Sequence, residues 1–135
     1  MNFDRRGVMQ ITARQKDVDE LHSSLAREFK VHICAGSGPV RRKDRSAVNR
    51  TRLFAPDGSS GAQDKLIPAR FERESWKISP GGAPRVFDTA LGRIGILIGY
   101  LAGLPSSLKK GSQLRRVKRD LGALEETSVE LEAED

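Results

Sequence analysis

Few side-chain types in this 135-residue chain can do chemistry unaided: one cysteine, Cys34, and two histidines, His22 and His32. A thiol becomes a strong nucleophile once a base takes its proton, and an imidazole binds metals through a ring nitrogen. The histidines have no Cys, His or carboxylate partner at ligand spacing, so we expect surface or edge positions for both and no metal. Cys34 can form no internal disulfide, which fits a reducing cytoplasm. Gly36-Ser37-Gly38 and Gly81-Gly82 lack the spacing of a phosphate-binding loop and any accompanying Lys-Ser or Lys-Thr; they read as turns, and no cofactor is expected. Two basic clusters offer phosphate contacts instead. One holds Arg41, Arg42, Lys43, Arg45, Arg50 and Arg52 against the single acid Asp44, and the other holds Lys109, Lys110, Arg115, Arg116, Lys118 and Arg119. Binders of nucleic acid interleave such charge with aromatics for base stacking. Here aromatics are 5% and Trp76 lies outside both clusters, which argues against specific nucleic-acid recognition.

The elements that would position these residues are legible in the hydropathy pattern. Val18, Leu21, Leu25 and Phe29 recur at spacings of three and four with Ala26 alongside, which predicts a helix over residues 16–30 with that stripe buried. VHICAGS, residues 31–37, reads as a short strand ended by Gly36, Gly38 and Pro39. The stretch from Arg41 through Leu53-Phe54 into Ala55-Pro56-Asp57-Gly58 fits a hairpin, with a strand near 50–55. Val86 and Phe87 form a short apolar piece, Leu91-Gly92 a turn, and Ile94 to Ile98 a run typical of a strand buried on both faces.

Composition sets the outer limits. A hydrophobic share of 37% excludes a wholly disordered chain, and 24 basic against 18 acidic residues leave a net charge of +6, so a basic surface is expected. The longest apolar stretch, Ile94 to Leu101, falls far short of the roughly 20 residues of a membrane span, and the N-terminus lacks a signal-like apolar run; no membrane association is expected. We divide the chain into a polar segment, 1–15, a single domain, 16–111, and a charged tail, 112–135, that is basic first and then acidic and is expected to be helical or disordered.

Within residues 25–105 three pieces stand in a telling order: LAREFKVHICAGSGPVR, NRTRLFAPDG and QDKLIPARFERESWKISPGGAPRVFDTALGRIGILIGY. Together they resemble the central portion of the nitrilase, or carbon-nitrogen hydrolase, superfamily, most closely its amidase-like branch. The resemblance implies an α/β fold, a four-layer αββα sandwich of which this chain would hold a truncated part. It also implies hydrolysis of an amide or nitrile by a Glu-Lys-Cys triad. In that chemistry a glutamate takes the thiol proton, the thiolate attacks, and a lysine ammonium with a backbone N–H stabilises the resulting oxyanion. A second glutamate after the lysine helps orient the site.

Carried over residue by residue, Lys65 in Gln63-Asp64-Lys65-Leu66 falls on the family lysine, and Glu72 in Arg70-Phe71-Glu72-Arg73 on the second glutamate. The blander alternatives are a solvated lysine and a surface carboxylate. Ile67-Pro68-Ala69-Arg70 departs from the family's usual His-Leu-Thr-Pro. The nucleophile position reads Ile98-Gly99-Tyr100-Leu101, so Gly99 replaces the family cysteine with a hydrogen atom. The triad's first glutamate would precede the first helix, and this chain is expected to lack it. Cys34 lies where the family has an aliphatic residue and is expected to be a packed structural thiol. The resulting expectation is a degenerate hydrolase, inactive as it stands, whose ligand would be a small amide or nitrile. The alternatives are a non-catalytic subunit, self-associating or paired with a full-length relative, and a small basic nucleic-acid-binding protein.

Overall fold

The computed structural model describes residue 10, residues 12–99 and residues 128–133. The first helix, α1 (Gln15–Phe29), lies where the three-four spacing predicts it and ends on Lys30 in the left-handed conformation, φ +56°. Its buried face matches the expected one only in part, at Ala26 and the half-buried Leu25. Ser23 and Ala26 are buried, whereas Val18, Leu21 and Phe29 are 41%, 56% and 65% exposed. The cause lies on the sheet below, where Arg52 and Phe54 point at the helix. Asp19 meets the Arg52 guanidinium at 3.2 Å, and His22 stacks on the Phe54 ring at 5.7 Å between centroids. Pairing a half-buried guanidinium outweighs burying the apolar stripe, and His22 is thereby half-buried against Phe54.

Four strands follow: β1 (Ile33–Cys34), β2 (Gly38–Arg41), β3 (Ala47–Phe54) and β4 (Ser59–Asp64). The expected hairpin is present: β2 and β3 pair antiparallel with Val40 opposite Val48, and Asp44 Oδ1 closes the turn by accepting from the Ser46 N–H at 2.9 Å. A second hairpin joins β3 to β4 through Ala55–Gly58, where Asp57 Oδ1 accepts from the Ser59 N–H and Gly58 adopts φ +90°. Nothing in SSGAQD marks β4 as a strand, since it has no β-branched or aromatic residue. It forms because β3 is long enough to template it.

After the short helix α2 (Arg70–Glu74) come β5 (Val86–Thr89) and β6 (Gly92–Gly95), then β7 (Ser128–Glu130) and β8 (Glu132–Ala133). The last two lie in the charged tail, for which helix or disorder is expected; residues 112–127 lie outside the described residues, and the described part, 128–133, pairs as strands. β7 runs parallel to β5 with Val129 opposite Phe87, and β8 pairs with the start of β4. Open strand edges on β4 and β5 supply backbone partners that override the tail's acidic composition. The run from Ile94 is also corrected: the strand stops at Gly95, no residue from Gly92 to Gly99 is buried, and Leu97 is 43% exposed. β6 is the edge of its sheet, whose order is β6-β5-β7, which leaves that strand largely exposed.

The layers can be read from side-chain alternation. In the five-stranded sheet, order β1-β3-β4-β8 with β2 also on β3, Phe54 and Ser60 are opposite each other and share the face that meets α1. Gly61, one residue on, points to the other face, where a methyl group added to it would come within 2.5 Å of the Phe87 ring of β5. The described residues therefore stack helix on sheet on sheet, three layers of an α/β sandwich, around Val48, Leu53, Phe54, Ile78 and Phe87. Among the described residues no helix is long and apolar enough to cross a membrane.

Candidate active site

Lys65 follows the last residue of β4, on the same sheet face as Gly61 and Gln63. Its main chain is tied on both sides: its N–H donates to the Asn49 carbonyl at 2.7 Å, and its carbonyl accepts from the Gly81 N–H at 2.9 Å. The side chain is buried, with 8% of the residue exposed. It is not a solvated lysine.

Glu72 reaches Lys65 through a local device at the start of α2. Pro68 is fully buried, and Ala69, extended at φ −63° and ψ 160°, precedes the first helical turn. Glu72, at the third helical position, folds its carboxylate back so that Oε2 accepts from the Ala69 N–H, the usual way a glutamate at this position satisfies an orphan helix donor. The same oxygen lies 2.8 Å from Lys65 Nζ, and Oε1 accepts from Asn49 Nδ2 at 3.0 Å. The residues Ile67-Pro68-Ala69-Arg70 thus make the turn that delivers Glu72 to the lysine. Burial by itself would raise the Glu72 carboxyl, but the bonds from Lys65, Ala69 and Asn49 outweigh it and hold the group below the ordinary glutamate value.

Gly99 also approaches the lysine. Its backbone is left-handed, φ +60°, and a β-carbon built there falls 3.4 Å from Lys65 Nζ and 3.7 Å from Cε. The structure therefore brings together Lys65, Glu72 seven residues on, and the sequence-distant Gly99. It adds Asn49, to which sequence reasoning gave no role. One signal was available: asparagine is depleted in strands, so one at the third position of a β-branched strand calls for a partner. The other singled-out residues lie elsewhere. Cys34 is exposed on the two-residue edge strand β1, with Sγ 4.0 Å from Thr51 Oγ1, so it is not a packed core thiol. Gly38 opens β2 rather than a turn, and Gly81 packs directly against Asp64.

A cleft of about 270 Å³ runs along β4, lined by Arg50, Arg52, Gln63, Asp64 and Arg85 among others. Arg50 grips Asp64 there through Nε and Nη2 at 2.6 and 3.0 Å. Neither Lys65 nor Glu72 lines it. No group of three or more His, Cys, Asp or Glu among the described residues could hold a metal ion.

Comparison with known proteins gives this geometry its context. Residues 12–115 match the model of the carbon-nitrogen hydrolase family. "Probable hydrolase YhcX" of Bacillus subtilis (strain 168) is 36% identical over 116 residues, which cover 86% of this chain and 21% of that protein. "Hydrolase C26A3.11" of Schizosaccharomyces pombe (strain 972 / ATCC 24843) is 35% identical over 86 residues, covering 58% of this chain and 26% of that one. The chain thus spans about a fifth to a quarter of the length of these relatives. The crystal structure of an N-terminal amidase superposes with a TM-score of 0.51 at 15% identity, over 63% of this chain and 21% of the amidase, which shows a shared fold. On the family match, spanning most of its length, this chain belongs to the carbon-nitrogen hydrolase family.

Proposed function

We propose that Lys65, Glu72 and position 99 form the lysine-side part of a carbon-nitrogen hydrolase site for a small amide or nitrile, and that this chain does not turn substrate over because Gly99 brings no nucleophile. One observation carries the reading: a β-carbon on Gly99 would lie 3.4 Å from Lys65 Nζ. A nucleophile at that position would work beside an ammonium able to stabilise the oxyanion formed by its attack. Glu72 is poorly suited to be the general base. Its two oxygens already accept from Lys65, Ala69 and Asn49, and the ionised form they favour holds a proton weakly.

The test is Gly99→Cys. The introduced thiol should react with iodoacetamide at neutral pH faster than Cys34, the internal control, because the nearby ammonium favours thiolate. A panel of simple amides and nitriles should show no turnover, since Glu72 is already engaged and going without a general base typically costs about 100-fold to 10,000-fold. Alkylation no faster than that of Cys34 would detach position 99 from the lysine, and multiple turnovers would require a base within these 135 residues.

A second reading, association with another copy or with an intact relative, draws on the exposed Val18, Leu21 and Phe29 of α1 and on the largely exposed β6. Co-purification of a full-length hydrolase with the tagged chain tests it.

A further inference from the structure

The side chain of Asn49 has only half its hydrogen bonding met. Nδ2 donates to Glu72 Oε1 at 3.0 Å, while Oδ1 is shut away from solvent without a donor among the described residues. A buried acceptor left unmet destabilises a fold. An aliphatic residue would suit this strand better on packing grounds alone, so the amide is explained by what its other end holds. What it holds is the one carboxylate oxygen that neither Lys65 nor Ala69 engages. Without that bond the Glu72 carboxylate would be fixed through Oε2 alone and free to swing its other oxygen. The main chain of Asn49 anchors the second partner, through its carbonyl and the Lys65 N–H at 2.7 Å.

We propose that Asn49 is a positioning residue of this site, whose side-chain amide locks the orientation of Glu72 against Lys65 while its carbonyl holds the lysine backbone in place. It acts through Glu72 and Lys65 and is assigned no contact with substrate. The inference deepens the functional reading above and rests on it for the site's purpose. The bond itself can be tested independently.

The first measurement needs no substitution. In the native chain, the Asn49 side-chain amide protons should shift as pH is lowered, with the midpoint of the Glu72 carboxyl carbon, both followed by NMR. Asn49 protons indifferent to that titration would overturn the proposal. The second uses Asn49→Leu and Asn49→Ala. Removing the donor should weaken Glu72 as an acid about threefold or more, moving its midpoint up, and should broaden its resonance as the carboxylate gains freedom. A merely structural asparagine would leave the Glu72 midpoint in place, and that outcome also overturns the proposal. If neither variant folds, the native titration decides alone. Gly99→Cys alkylation separates the two levels: an unaccelerated thiol together with a coupled Asn49–Glu72 titration would remove the hydrolase reading of position 99 and leave the positioning of Glu72 intact.

Discussion

At the scale of single residues, the Lys65–Glu72 pair is the most demanding feature of the molecule. Both side chains are almost wholly withdrawn from water, 9% and 4% exposed, so each depends on the other for solvation. Lys65→Met should therefore destabilise the fold by about 3–5 kcal/mol, because it leaves a buried carboxylate without its cation. Lys65→Met combined with Glu72→Leu should recover much of that loss, since a well-packed apolar pair is often no worse than an ion pair. Urea denaturation of the three proteins would show it. The depressed Glu72 carboxyl also has a pH signature. A group whose folded value lies below its unfolded value contributes stability that is fully present above the unfolded value, about 4.3, and fades as pH falls through the folded one. Thermal melts taken downward from pH 5 should lose stability in the native chain, and Glu72→Gln should flatten that part of the profile.

At the scale of elements, two glycines mark where segments approach too closely for a side chain. A methyl group on Gly61 would sit 2.5 Å from Phe87 Cε1 and 2.9 Å from Leu131 Cδ2, and one on Gly81 would meet Asp64 Cβ at 2.6 Å and its backbone at 2.9 Å. Gly61→Ala and Gly81→Ala should each cost about 1–3 kcal/mol by thermal or chemical denaturation. Gly82→Ala, which meets nothing within 4 Å, is the control. The same elements show what sequence could and could not reveal. The helix over residues 15–29, the hairpin into β3 and the strand at Val86 were legible because period and turn chemistry are local signals. β4 and the paired tail segments were not, because their pairing is dictated by the edge beside them rather than by their own composition. The face of α1 is only partly legible for a related reason, since periodicity counts apolar residues and is blind to an arginine waiting on the opposing sheet. At the site, Lys65, Glu72 and Gly99 came from family resemblance alone, and their meeting in space was beyond any spacing rule. Asn49 offered only the weak signal of an amide inside a strand, and its role is given by its contact with Glu72.

At the scale of the whole molecule, the three layers leave an apolar stripe on the outside of α1 and a largely exposed strand at the β6 edge. Such surfaces favour association, so sedimentation should show concentration-dependent assembly rather than a single monomeric species. Replacing Val18, Leu21 and Phe29 with Glu, Lys and Glu should reduce that assembly without lowering the melting temperature, because none of the three is packed against the sheet. The backbone ties of Lys65 carry a consequence of another kind. Its N–H is held by β3 and its carbonyl by the segment at Gly81, so freeing either amide means parting segments joined through the core. Fraying at an end cannot do it. In deuterated water the amides of Lys65 and Gly81 should be among the last to exchange, at the rate set by global unfolding, while those of the surface turn at Lys43 and Arg45 exchange early. The lysine would then be as durable as the fold itself, and it would remain in place, facing position 99, for as long as any cooperative structure survives.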